Sequence, residues 1–88
     1  MITAEEARVR ADEYKNGVFH VKEVLKTIEE NICYNSRYGE HRTNYYYRPK
    51  GVDRVDMITE ELRSNGYRVT CFKHKCDEGT NYSMNIFW

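Results

Sequence analysis

Between residues 3 and 33 a single apolar stripe runs without losing phase. Ala7, Ala11, Tyr14, Val18, Val21, Leu25, Ile28 and Ile32 recur at alternating spacings of four and three. That is the rhythm of a helix with one apolar side. Thr3-Ala4-Glu5-Glu6 opens it as a capping box, in which the Thr3 hydroxyl accepts from an amide three residues on and Glu6 reaches back. Read as one helix, residues 3–33 extend about 46 Å at ~1.5 Å per residue. A chain of 88 residues makes one domain, 1–88, and a domain of that size is roughly 30 Å across. So long a helix either breaks or projects and finds a partner. Asn16-Gly17 is the one candidate break, and a glycine inside a helix costs about 1 kcal/mol relative to alanine. Because the stripe keeps its phase across Gly17, one continuous or bent helix is expected, with two helices joined at 15–17 as the alternative.

The remainder alternates in type. Residues 35–43 form a polar loop, 44–48 a strand ended by Pro49, and 52–64 a second helix with Val55, Ile58 and Leu62 on one face. Asn65-Gly66 stops that helix. Tyr67 to Lys73 alternates as a strand, Asp77-Glu78-Gly79 turns the chain, and Asn81 to Trp88 alternates again. The last two strands pair as a hairpin, and the strand–helix–strand unit before them crosses over. The expectation is an α+β fold: a long N-terminal helix (3–33) and a second helix on one face of a three-stranded mixed sheet formed by the 44–88 unit, in the order helix, strand, helix, strand, strand. The opposite face is left to Arg68, Thr70, Phe72, Ser83, Asn85, Phe87 and one side of the first strand.

That first strand carries three consecutive tyrosines, Tyr45, Tyr46 and Tyr47, between Arg42 and Arg48, with Lys50 just beyond. Net charge is zero, which argues against a dedicated nucleic-acid coat or tail. Residues 36–54 are nevertheless the one net basic segment, with five basic and two acidic side chains and four of the eight tyrosines. In a strand Tyr45 and Tyr47 point one way and Tyr46 the other. One set enters the core; the other lies on the surface beside arginine. Such rings stack on bases, anchor protein interfaces, or stand there because tyrosine favours strands. Arg42, Tyr45, Tyr46, Tyr47, Arg48 and Lys50 are the candidate binding residues.

Other chemistry finds less support. Cys71 and Cys76 bracket His74, but strand alternation turns Cys71 into the core beside Val69 and away from the other two. No C-x2-C pair supplies the missing ligands, so no metal and no cofactor is expected. No glycine-rich phosphate loop and no nucleophile beside a base occurs, and the protein is not expected to be an enzyme. No apolar run approaches the length of a membrane span, no leader pattern opens the sequence, and three scattered cysteines suit a reducing setting. A cytoplasmic protein that does not contact membranes is expected.

The length of the first helix points to self-association. Tyr14, Val18, Val21 and Leu25 are the expected interface of a homo-oligomer. Arg8, Lys15 and Lys22 flank the seam on one side, and Arg10, Gly17, Val24 and Asn31 on the other. A parallel self-pair gains no flanking ion pairs from that arrangement.

Three segments carry a resemblance: the opening Ile2-Thr3-Ala4-Glu5-Glu6-Ala7-Arg8, then Ile58-Thr59-Glu60-Glu61-Leu62 with Gly66-Tyr67-Arg68-Val69, and the closing Ile86-Phe87-Trp88. In these the chain resembles small accessory proteins of large tailed bacteriophages. The resemblance implies a non-enzymatic viral protein acting in the host cytoplasm, one that occupies the surface of a host protein or joins an assembly. It transfers no site residues. The alternative function is a nucleic-acid-binding module using residues 42–54.

Overall fold

A computed structural model describes residues 1–88. Six elements follow one another: α1 (Ala4–Lys15), α2 (Val18–Arg37), β1 (Arg42–Tyr47), α3 (Val55–Ser64), β2 (Arg68–Cys76) and β3 (Gly79–Phe87).

Two helices stand where one continuous helix was expected. Thr3 caps α1 as anticipated, its hydroxyl accepting from the Glu6 amide at 3.1 Å. The chain then turns at Gly17, which has φ 76°. Only glycine adopts that left-handed conformation at little cost. Gly17 is also buried, and a β-carbon there would lie 3.2 Å from the Val52 carbonyl oxygen. The Arg54 Nε donates to the Asn16 carbonyl at 2.8 Å, tying the break to the β1–α3 connection. The stripe keeps its phase on paper, but a tertiary contact decides the break. Beyond it α2 runs on to Arg37, past the expected end at residue 33. The Asn35 side chain then donates to the Arg42 carbonyl at 2.8 Å and sets the start of β1.

The sheet is antiparallel throughout, in the order β1-β3-β2. This corrects the mixed sheet expected from the sequence. β1 and β2 do point the same way across α3, but they are not neighbours, because the β2–β3 hairpin folds β3 between them. The reason is burial. Tyr82, Met84 and Ile86 of β3 are all buried, whereas β2 ends in Phe72-Lys-His-Lys-Cys76, exposed throughout. The apolar strand takes the centre and the charged one an edge, where its cations discourage further pairing.

One face of this sheet meets α2 and α3. Val21, Val24, Ile28 and Ile32 of α2 join Ile58 and Leu62 of α3 and Tyr47, Val69, Tyr82, Met84 and Ile86 of the strands in one core. Helix α1 buries nothing. It touches α2 only beside the break, through a Tyr14–Phe19 ring stack at 4.1 Å and a Glu13–Lys22 ion pair at 2.7 Å. The radius of gyration is accordingly 14.7 Å, against about 12 Å for a compact chain of this length. The smallest dimension is 19 Å, which suits one helix layer on one sheet and no further layer.

Gly17→Ala should lower stability by about 1–2 kcal/mol, from left-handed strain plus the clash with Val52. Urea denaturation followed by circular dichroism checks this; unchanged stability would show that the break does not depend on glycine.

Candidate functional site

The side of the sheet away from the helices carries the candidate site. Register places its residues in rows across β1, β3 and β2: Arg42, Phe87 and Arg68; Asn44, Asn85 and Thr70; Tyr46, Ser83 and Phe72. His74 follows on β2, opposite Asn81. No residue of any strand is Asp or Glu. The face therefore offers three aromatic rings, three arginines (with Arg48 just after β1) and a histidine among neutral hydrogen-bonding side chains.

The cations lie over the rings. The Arg48 guanidinium stands 5.3 Å from the centre of the Tyr46 ring, and the Arg68 guanidinium 6.0 Å from that of Phe87. Both are within cation–π range. His74 lies 6.1 Å from Tyr46, ring to ring, and its Nε2 is 2.8 Å from the Ser83 hydroxyl. Tyr46 is 44% exposed and Phe72 57%. Across the sheet these two rings are separated by two strand spacings, about 10 Å. At the other end, a cleft of about 490 Å³ opens beside Arg42, Arg68 and Phe87, with His41, Trp88 and Glu40 around it.

The core side holds this face in register. Tyr47 is only 1% exposed, and its hydroxyl accepts from the Arg54 amide at 3.2 Å. Its ring lies between His20 at 5.7 Å and Tyr82 at 6.0 Å. The Tyr82 hydroxyl donates to Asp53, whose other oxygen accepts from the Val55 amide. His20 Nε2 lies 3.2 Å from the Arg48 carbonyl. These bonds fix the β1–α3 connection, and with it the parity that turns Tyr46 and Arg48 outward. The hydrogen bond to Asp53 holds the Tyr82 phenol in its neutral form and, with burial and the Asp53 charge, raises its pKa to about 12. Burial raises the Tyr47 phenol as well. It also raises that of Tyr45, with Glu23 adding to the effect.

The residues read from the sequence divide accordingly. Arg42, Tyr46 and Arg48 are on the open face. Tyr47 is in the core and Tyr45 half-buried against it, so those two are corrected from binding residues to packing residues. Lys50 is exposed in the connection after β1. Phe72, Phe87, Arg68 and His74 were not counted in the site, although alternation had put the first three on the outer face. Only strand order brings them beside Tyr46. Of the expected oligomer interface, Tyr14 is 62% exposed and Val18 half-buried, whereas Val21 is in the protomer's own core and Leu25 packs against it. The break at Gly17 turns α2's stripe onto the sheet, so the seam is not one open surface.

Cys71 shares the Val69 side as expected but is exposed, because the helices do not reach that end of β2. His74 and Cys76 lie on the opposite side. No group of three His, Cys, Asp or Glu side chains comes together to hold a metal ion. No helix is long and apolar enough to cross a membrane. Compared with protein-family models, curated proteins and solved structures, the chain matches none.

Because its folded pKa is raised, Tyr82 contributes stability that is complete below the ordinary phenol pKa near ~10. The contribution is lost as pH climbs toward about 12, since the unfolded chain then releases a proton that the folded one keeps. Urea midpoints should fall across that interval. Tyr82→Phe should cost about 1.5–3 kcal/mol near neutral pH, the worth of a bond to a charged acceptor, and should make the alkaline decline shallower. An unchanged decline would show that Asp53 does not hold the phenol.

Proposed function

We propose that the protein binds single-stranded nucleic acid on the open face of its sheet, as a binding protein and not an enzyme. One observation carries this reading: Tyr46, Phe72 and Phe87 share a face with Arg42, Arg48, Arg68 and His74, on strands that hold no acidic residue. Stacking on exposed rings suits any base, because every base has a π-face. Arginines beside the rings meet the phosphates, and the asparagine, serine and threonine side chains offer hydrogen bonds to base edges. A duplex has its bases stacked inside, out of reach of rings on a sheet surface, so splayed single strands are the form the face suits.

The other reading drawn from the sequence is a viral protein that occupies a host-protein surface. Exposed Tyr46 and Phe72 favour it too, as aromatic anchors. What sets the nucleic-acid reading ahead is the absence of any carboxylate on the three strands, Glu40 standing only at the rim of the face, since a general protein interface has no need to exclude acids.

Fluorescence anisotropy with labelled single-stranded DNA and RNA of about ten nucleotides tests the proposal, with a duplex as control. Binding should favour the single strands. Tyr46→Ala and Phe72→Ala should each weaken it by about 1–3 kcal/mol, the worth of one stacked base. Three arginine–phosphate contacts give a log–log salt slope of about −2, which Arg42→Ala with Arg68→Ala should flatten. Absence of binding at low salt, or binding indifferent to both ring substitutions, would sink the reading. Capture of a protein that survives nuclease and is lost with Tyr46→Ala would favour the host-protein alternative.

A further inference from the structure

Helix α1 and the groove between α2 and α3 are two unfinished surfaces in the same molecule. At 100° per residue, Ala4, Ala7, Ala11 and Tyr14 fall in a stripe about 80° wide along α1. Arg8 and Lys15 border it on one side and Arg10 on the other, whereas Glu5, Glu6, Asp12 and Glu13 occupy the opposite half around Val9. Glu13 is the residue that pairs with Lys22 of α2. Tyr14, at the Gly17 end of the stripe, stacks on Phe19 of its own α2, so the part of the stripe that meets nothing in its own protomer is Ala4, Ala7 and Ala11. All four stripe residues are exposed.

The groove is its counterpart. About 350 Å³ in volume, it has Leu25, Ile32, Leu62 and Tyr67 along its floor, with Glu29 on the α2 wall and Glu61 on the α3 wall. One carboxylate stands on each side of an apolar channel, and one set of cations stands on each side of an apolar stripe. Alanines let a helix backbone sit deep between two others, within the usual interaxial spacing of about 8–10 Å. The arm does not fill its own groove, which is lined by no residue of α1.

We infer that α1 of one copy lies in the α2–α3 groove of a second copy, with its alanine stripe on Leu25, Ile32 and Leu62 and its flanking cations against Glu29 and Glu61. The exchange is reciprocal about a two-fold axis, so each copy gives an arm and receives one. It involves none of the residues of the sheet face and stands apart from the nucleic-acid reading.

Sedimentation equilibrium of the full chain at micromolar concentrations, with two exposed double variants, tests it. The wild type should dimerise. Ala7→Glu with Ala11→Glu damages the arm only, and Glu29→Lys with Glu61→Lys the groove only. Each should be monomeric with unchanged helical circular dichroism, because neither touches the core. Mixed in equal amounts, the two should associate more weakly than the wild type, through the one contact in which the intact arm of the groove variant meets the intact groove of the arm variant. A dimer that survives the groove variant would mean that arms pair with each other, and would overturn the proposal. A wild type that stays monomeric through tens of micromolar would overturn it too, the arm then being free or folded on its own groove. Oligonucleotide affinity measured on either monomeric variant reports on the sheet face alone, so failure of one proposal is separable from failure of the other.

Discussion

Tyr82, Met84 and Ile86, one face of the central strand, share a single packed cluster with Val24 and Ile28 of α2 and Ile58 of α3. Burying such side chains stabilises by about 1.5–3 kcal/mol each, and the chain has little else to draw on, since only 14 of its 88 residues are buried. That contact fixes the sheet order, because the strand that supplies it must lie where both helices reach. It also fixes what the other face displays. Once the even-numbered positions of β3 point inward, Ser83, Asn85 and Phe87 point outward, and the registers carry Tyr46 and Phe72 with them. With no apolar element left to cover it, the second face stays open.

Much of this was legible residue by residue. The capping box at Thr3, the alternation of both late strands, and the helix through Ile58 and Leu62 are local patterns, and local patterns survive into the structure. The break in the first helix was legible only as the alternative, because Gly17 is a break by virtue of Val52 and Arg54, about 35 positions away along the chain. Sheet order was hidden for a similar reason. Nothing local says whether β2 pairs with β1 or whether the hairpin folds β3 between them. Hence Arg42, Tyr46 and Arg48 were found, while Arg68, Phe72, Phe87 and His74 stood on the correct side of their strands without a stated neighbour. For the tyrosine run, alternation separated Tyr46 from Tyr45 and Tyr47 but left open which set faced inward. The Tyr47 hydroxyl on the Arg54 amide and its ring between His20 and Tyr82 explain the choice.

A net charge of zero conceals a strong separation. Ten of the fourteen carboxylates stand on the three helices and none on a strand, while Arg42, Arg68, Lys73 and Lys75 are all on strands. The protein is 19 Å through its thin direction, about two Debye lengths at physiological salt, where one is ~8 Å. Charges on the helical layer are therefore largely screened from a ligand on the sheet, which meets the local cations and not the neutral total. Overall charge is silent about a small basic face.

If the sheet face takes a nucleic acid as proposed, three rings and three arginines have room for only a few nucleotides, and a site that small would be weak on its own. The arm and groove lie on the helical side, away from the strands, so pairing two copies through them leaves both sheet faces uncovered. A strand long enough to reach both faces would meet the second at an effective concentration set by the separation of the two, and avidity can then exceed either affinity by about 10²–10⁴ without a new contact. The two unfinished surfaces thereby acquire a common logic. No element covers the outer face of the sheet, and the α1 arm buries nothing in its own protomer. Under the proposed exchange, pairing would give the arm a partner, and the sheet, still bare, would become one half of a longer binding track.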